Sequence, residues 1–250
     1  MPWALPESDD ARLALAKSYP FATPGRSYLF RDGEARPLAA GTAEAALFAG
    51  RAPVIGHGSN RSPDQLRRKF GQGAEIPVSR AWLADYDVVY SAHITQYGAV
   101  AANLQHTPGA TAEVYVNWLS EAQLARMHAT ELGGENYYYG RLAGISLALE
   151  AGPVAGLSEA FVYLSTRGCL PDGAGPFGLA AVASEGRPHE ALRQEDAIAL
   201  VRDRHRPGWE LDAHILETIT NAHGRTALIA EMRQNAVPTQ APHFEILKRP

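Results

Sequence analysis

The chain contains 250 residues, 46% of them hydrophobic and 20% charged, a composition that is typical of a globular protein and argues against disorder. Acidic and basic residues are interleaved along the whole length and give a formal net charge of -4. Because Lys and Arg form no cluster, we expect no nucleic-acid partner. The single cysteine, Cys169, excludes an intrachain disulfide and a cysteine-based metal site.

The amino-terminal residues predict neither export nor a membrane anchor. Residues 1–10 carry Glu7, Asp9 and Asp10 in place of the basic start and apolar run of a signal peptide. No apolar stretch of about 18 residues, the length needed to span a bilayer, occurs anywhere in the sequence. We therefore expect a cytoplasmic protein without a membrane partner.

Residues 1–50 are interpreted as an amino-terminal arm that packs on the core, and the alternative is a flexible tail. Five prolines interrupt this segment, and short helices are predicted at 11–18 and 42–48.

Residues 51–170 are predicted to form a β-rich core. Turn-forming residues, as at 106–109 and 151–153, separate segments rich in aromatic and β-branched residues. The predicted strands span 53–57, 85–92, 99–104, 112–119, 137–149 and 159–165. About six strands with few intervening helices favour a closed or nearly closed sheet. The expected fold class is α+β: a mixed, β-barrel-like sheet flanked by helices, with a helical carboxy-terminal part.

Helices are predicted within and after this core. Ser120 and Gln123 form a capping box, so a helix should start there and end near Leu132, before two glycines. The glycine-rich stretch 168–178 is typical of a loop that covers a site. Residues 171–240 are predicted to be a loop and a helical extension of the same domain, and residues 241–250 a tail.

The segment 56–60, Gly-His-Gly-Ser-Asn, is a candidate binding loop between a strand and a helix that Pro63 begins. Glycines at φ > 0 would let successive backbone N–H groups converge on an anion, and Ser59 and Asn60 add side-chain donors. The alternative is an ordinary strand-to-helix turn. The hydrolase nucleophile elbow, the phosphate loop and the dinucleotide fingerprint are each incomplete here.

Glu131 is the candidate general acid/base. It lies at the end of the predicted helix, where the negative end of the helix dipole and nearby apolar residues are expected to raise its pKa. The alternative is a solvated surface carboxylate, and Glu135 is a rival nearby.

Tyrosines and histidines complete the inventory of reactive side chains. Strand alternation places Tyr138 on the face opposite Tyr137 and Tyr139, so at least one hydroxyl should face the interior. The nine histidines are dispersed and lack the spacing of a metal site, so no metal is expected.

The order of these features resembles the γ-glutamylcyclotransferase-like family over about residues 53–166. That family has a strand, a Tyr-Gly-Ser-Asn-type loop, a Gly/Ala-rich strand and a helix that ends in glutamate. Tyrosines follow the helix and occur again in a late strand. The matching segments here are His57-Gly58-Ser59-Asn60, Gly98-Ala99-Val100-Ala101-Ala102-Asn103-Leu104, Ser120-Glu121-Ala122-Gln123-Leu124, Glu131, Tyr138 and Tyr163. His57 replaces the usual tyrosine and Arg61 the usual leucine.

The resemblance implies an enzyme that releases 5-oxoproline and an amine from a small γ-glutamyl compound by intramolecular aminolysis, without a cofactor. It assigns the catalytic role to Glu131. It assigns substrate binding to His57, Gly58, Ser59, Asn60, Tyr138 and Tyr163. Two alternatives stay open: a non-catalytic binding protein of the same fold for a γ-glutamyl-like ligand, and a serine hydrolase that uses Ser59.

Overall fold

The computed structural model describes residues 4–38, 45–173 and 175–250. The helices of this part are Asp9–Lys17 (α1), Ala45–Phe48 (α2), Pro63–Phe70 (α3), Glu121–Glu131 (α4), Gln194–His205 (α5), Leu211–Thr220 (α6) and Ala222–Arg233 (α7). The longer strands are Tyr28–Arg31 (β1), Glu34–Pro37 (β2), Ala52–Gly56 (β3), Ile76–Ile94 (β4), Val100–Leu119 (β5), Tyr137–Leu149 (β6), Gly156–Ser165 (β7) and Phe244–Lys248 (β13). Five two-residue strands lie between β7 and α5: Pro171–Asp172 (β8), Gly175–Pro176 (β9), Gly178–Leu179 (β10), Ser184–Glu185 (β11) and Ala191–Leu192 (β12).

Five strands close into a ring in the order β5-β3-β7-β6-β4, and β4 pairs back with β5. Strands β3 and β7 run parallel, whereas the other four pairs of the ring are antiparallel. The fold is therefore α+β with a closed mixed barrel, which confirms the predicted fold class at this level. The ring has five strands instead of about six because two of the predicted strands are parts of one.

That single strand is β5, which runs without a break through residues 106–109, where a turn was predicted. Gly109 adopts φ +83, and Asp85 on the neighbouring β4 adopts φ +60. The pairing of β4 with β5 shifts register at this point, and Gly109 N donates to Asp85 Oδ1 at 2.9 Å. The turn-forming residues therefore mark a β-bulge, which bends a long strand instead of ending it.

Segments outside the ring extend and brace it. From the arm, β1 pairs with β4 and β2 with β1. From the segment 241–250, predicted as a tail, β13 pairs with β6. Both ends of the stretch 168–178, predicted as a covering loop, are hydrogen-bonded along β4 instead: Leu170 N donates to Tyr90 O at 2.8 Å and Tyr90 N to Phe177 O at 2.9 Å. Of the helix predicted at 42–48, residues 42–44 lie outside the described residues, and α2 covers the rest.

Two buried clusters use opposite faces of the same strands. Along β5, Val114 and Val116 belong to the larger cluster, whereas Tyr115 and Leu119 belong to the smaller one, as strand alternation requires. The smaller cluster also contains residues of α3 and α4, including the fully buried Met127. This packing holds α3 and α4 against the barrel, and it positions the site described next.

Candidate active site

Glu131 is the last residue of α4, and its side chain is only 12% exposed. The helix starts as the sequence predicts, because Ser120 and Gln123 make both hydrogen bonds of the capping box. Met127 lies one turn before Glu131 and is buried in the smaller cluster. Both side chains therefore lie on the inward face of α4.

Two donors from a distant part of the chain hold the Glu131 carboxylate. Asn60 Nδ2 donates a hydrogen bond to Glu131 Oε1 at 2.8 Å, across a sequence separation of 71 residues. Lys69 forms an ion pair with the same oxygen, and its Nζ lies 3.5 Å from Met127 Sδ. The structure thus brings position 131 and the turn that contains Asn60 to one place.

The position of Lys69 follows from the short helix α3. Ser62 caps this helix by accepting from Asp64 N, and Pro63 is its first residue. Lys69 lies in the last turn, where the negative end of the helix dipole favours a cation. Its side chain is only 5% exposed, so its ion pair with Glu131 is largely out of contact with water.

The pKa of Glu131 is lowered, which is opposite to the predicted direction. Burial raises this pKa, but the positive charge of Lys69 and the hydrogen bonds from Asn60 and Lys69 outweigh burial. The prediction was wrong because it took account of the helix end and the apolar surroundings, but not of the lysine that α3 supplies. Glu131 is therefore ionised at neutral pH.

The turn between β3 and α3 is a short 3-10 helix, Ser59–Arg61, and not the predicted anion nest of left-handed glycines. Gly58 has φ -105 and ψ -134. A Cβ at this position would collide with the Tyr19 hydroxyl, so a glycine is needed for the close approach of the arm. The amides of Ser59 and Asn60 begin the turn, and they have no acceptor within it.

His57 lies at the start of this turn and is only 7% exposed. Burial lowers its pKa to about 4, although the negative charge of Glu131 and a backbone hydrogen bond with Ala102 favour the protonated form. No described residue is hydrogen-bonded to its Nδ1. His57 is therefore a neutral imidazole near the Glu131 carboxylate at neutral pH.

Two tyrosines that the sequence analysis did not assign to the site also interact with Glu131. Burial raises the pKa of Tyr97; a hydrogen bond with Ser59 opposes this rise, and the charge of Glu131 adds to it. Burial also raises the pKa of Tyr137, followed in size by the charges of Glu131 and Tyr97. The sequence signal for Tyr97 was an aromatic residue beside Gly98, in the tight turn between β4 and β5.

The partner of Ser59 bears on the serine-hydrolase alternative. Its hydroxyl is hydrogen-bonded to Tyr97. In the part of the chain that the structure describes, no histidine is hydrogen-bonded to Ser59. A nucleophilic serine needs an adjacent base, so the geometry does not favour this alternative.

The remaining two candidates, Tyr163 and Tyr138, lie in different surroundings. Tyr163 is buried, its hydroxyl is 2.7 Å from His128 Nδ1, and burial followed by the charge of Glu131 raises its pKa. Tyr138 lies on the other face of β6, where its ring centroid is 5.4 Å from the guanidinium of Arg249. The structure therefore brings Tyr163 close to the group around Glu131 but does not bring Tyr138 there.

Three further features bear on the kind of site present: metal ligation, a membrane span and a reactive thiol. In residues 4–38, 45–173 and 175–250, no three His, Cys, Asp or Glu side chains are arranged to bind a metal ion. None of the helices within those ranges has the length and apolar character needed to cross a membrane. Cys169 is buried, and burial raises the pKa of its thiol to about 11, so it is not a reactive thiolate at neutral pH.

Comparison with known proteins finds a distant structural likeness. No protein-family model matches the sequence, and no curated protein matches it. A solved structure of a gamma-glutamyl cyclotransferase is similar to 72% of this chain over 99% of its own length, with a TM-score of 0.36 and 11% identity. This likeness does not assign a function to the site around Glu131.

Proposed function

We propose that the protein is a γ-glutamylcyclotransferase-like enzyme that releases 5-oxoproline and an amine from a γ-glutamyl compound. The observation that carries this proposal is the contact of the ionised Glu131 carboxylate with Asn60, in the turn where the amides of Ser59 and Asn60 have no acceptor within the turn. Aminolysis of an amide needs a proton acceptor and anion-binding donors at one place. The substrate is a small molecule, and the chemistry needs no cofactor.

The reaction can be written with all atoms balanced. The free α-amine of the substrate attacks its own γ-carbonyl carbon, and a new C–N bond closes the five-membered lactam. The bond from that carbon to the leaving nitrogen then breaks. The proton lost by the attacking nitrogen passes to Glu131, which delivers it to the leaving nitrogen, so no proton is gained or lost overall.

The lowered pKa of Glu131 determines the order of these transfers. The carboxylate begins as the proton acceptor and becomes a donor only after the attack. A positioned acid/base contributes on the order of 10²–10⁴-fold in rate. Because the two reacting groups belong to one molecule, binding the substrate in a folded conformation contributes more, up to ~7–11 kcal/mol for a well-oriented pair.

The surrounding groups suit the negative charges of the substrate and of the tetrahedral intermediate. The amides of Ser59 and Asn60 are donors for the substrate α-carboxylate. Lys69 neutralises the charge of Glu131 before the substrate binds. The raised pKa values keep Tyr97 and Tyr137 protonated, so their hydroxyls are neutral donors for an oxyanion.

A substrate screen with two matched variants tests the proposal. Release of 5-oxoproline from γ-glutamyl peptides and γ-glutamyl amines is measured by mass spectrometry for the wild type, Glu131→Gln and Glu135→Gln. We expect Glu131→Gln to lower the turnover at least about a hundredfold. The exposed Glu135 is the matched control, and its variant should keep wild-type turnover. Equal turnover of Glu131→Gln and the wild type would move the catalytic role elsewhere.

Two contacts favour the second candidate, a non-catalytic binding protein for a γ-glutamyl-like ligand. Lys69 already forms an ion pair with the Glu131 carboxylate. The Tyr19 hydroxyl accepts from Ala102 N at 2.8 Å and lies against Gly58, in the space beside the turn. Isothermal titration that detects binding of a γ-glutamyl compound, with no product by mass spectrometry, would favour this candidate over the enzyme.

A further inference from the structure

A cleft of about 580 Å³ lies between the arm, residues 180–181 and the start of α5. Its volume is in the range of sites that bind small molecules. The described residues that line it include three cations and no acid. The cations are Lys17, Arg61 and Arg193.

Arg61 is the most buried of these cations, with 5% of its surface exposed. Its Nη2 donates to Ala181 O at 3.1 Å, and its Nη1 lies 3.5 Å from Glu113 Oε1. Glu113 is shared, because it also accepts from Arg80 Nε at 2.7 Å. Among the described residues, no acceptor is hydrogen-bonded to Arg61 Nε or Nη1. A buried guanidinium with two unused donors is costly unless another group completes its hydrogen bonds.

Gln194 gives a second, independent indication of a ligand. It is the first residue of α5 and only 4% exposed, yet neither Oε1 nor Nε2 has a hydrogen-bond partner in the described structure. The preceding residue, Arg193, does not cap the helix with its side chain, and within the described residues the amides of 194–196 donate no hydrogen bond outside the helix. The cleft therefore combines a primary amide, a guanidinium and a helix amino terminus, which attracts anions.

We propose that this cleft binds a small carboxylic acid that also carries a primary amide or lactam. The ligand carboxylate pairs with Arg61 and the first amides of α5, because hydrogen bonds from a charged donor to a carboxylate are stronger than those between neutral groups. The ligand amide pairs with Gln194, which turns towards it and offers one donor and one acceptor. Lys17 and Arg193 have their own acidic partners, Asp212 and Asp196, so they add less to the binding.

This cleft adjoins the site around Glu131 through the turn Ser59–Arg61, but neither Asn60 nor Glu131 lines it. Tyr19 lines the cleft, whereas its hydroxyl reaches the amide of Ala102 near Gly58, so the arm lies between the two sites. The proposal therefore does not depend on the function proposed for Glu131, and a binding measurement tests it without turnover.

Isothermal titration with succinamate, which has one carboxylate and one primary amide, tests the proposal on the full chain. Butyrate lacks the amide and propionamide lacks the carboxylate. We expect succinamate to bind at least roughly tenfold more tightly than either of them, because each of the other two compounds lacks one polar contact with the cleft. Failure of succinamate to bind, or equal affinity for butyrate, would overturn the proposal.

The variant Gln194→Met locates the bound ligand. It replaces an unpaired buried amide with an apolar side chain of similar size, so the fold should be kept. We expect its affinity for succinamate to fall at least roughly tenfold and its affinity for butyrate to stay unchanged. Glu131→Gln should bind succinamate as the wild type does. The proposal is wrong if succinamate binding weakens in Glu131→Gln but not in Gln194→Met.

Discussion

Lys69 and Glu131 are separated by 62 residues in sequence, and they form an ion pair from which water is largely excluded. The lysine lies at the end of α3 and the glutamate at the end of α4, so the pair joins the two helices beside the barrel. The same contact lowers the pKa of Glu131 and keeps its carboxylate ionised. Stability and the proposed catalysis therefore both depend on this pair of charges.

Lys69→Met should destabilise the protein by about 3–5 kcal/mol, because it leaves a buried carboxylate without its counter-ion. The free energy of unfolding from urea titration at pH 7 measures this loss. Since the pKa of Glu131 in the folded protein is below its ordinary value of 4.5, its stabilising contribution is present above about pH 4.5. That contribution is lost as the pH falls through the lowered pKa. Lys69→Met should lack this stabilising contribution.

The double variant Lys69→Met/Glu131→Gln is the control for this prediction. Once both charges are gone, neither partner is left buried and unpaired, so much of the lost stability should return. If the two single substitutions instead add without coupling, the ion pair does not contribute to stability.

The sequence was sufficient for the local part of this site. The capping box of Ser120 and Gln123 predicted where α4 starts, and the length of the helix placed Glu131 at its end. Lys69 was not predicted, because a lysine in the last turn of a short helix is usually solvated and nothing local indicates its partner. The wrong direction of the Glu131 pKa follows from that one missing tertiary contact.

The barrel shows the same limit of sequence-based prediction: local signals are recognised, but contacts between distant residues are not. The strand predicted at 137–149 has the bounds of β6, because its turns and composition are local signals. The bulge at Gly109 was interpreted as a turn, since the same residues serve both purposes. The short strands β1 and β13 went unpredicted because their pairing partners lie far away in sequence. The predicted nest failed because Gly58 is needed for contact with Tyr19 and not for a left-handed backbone.

Tyr137 and Tyr138 are neighbours that alternation places on opposite faces of β6. The resemblance to the cyclotransferase-like family assigns the substrate contact to Tyr138, whereas the electrostatic interaction with Glu131 points to Tyr137. We expect Tyr137→Phe to lower kcat/KM for 5-oxoproline release by about tenfold, the effect of one lost polar contact in the transition state. Tyr138→Phe, which removes the same atom from the other face, should keep the wild-type value. The reverse result would restore the assignment based on the resemblance.

His57, His93 and His214 are all buried and held neutral, so the protein should lose stability well before its carboxylates are protonated. Burial lowers their pKa values to about 4, about 3 and about 4, respectively. Between those values and the ordinary value of 6.5, the unfolded chain binds protons that the folded chain does not. Stability should therefore fall as the pH drops from 6.5 towards 4, and below pH 4 only His93 should add a further loss.

His214→Gln isolates one of these groups away from the Glu131 site. For one such histidine, the loss between pH 7 and pH 5 amounts to at most about 2 kcal/mol, from about 1.4 kcal/mol per unit of pKa difference. Urea titrations at the two pH values should show a stability difference that is smaller by that amount in His214→Gln. His223→Gln, on the exposed surface of α7, is the matched control for replacing an imidazole with an amide. The comparison is between changes in the free energy of unfolding from pH 7 to pH 5. A loss of stability that is the same at both pH values therefore cancels. An unchanged slope in His214→Gln would show that this imidazole is not held neutral by the fold.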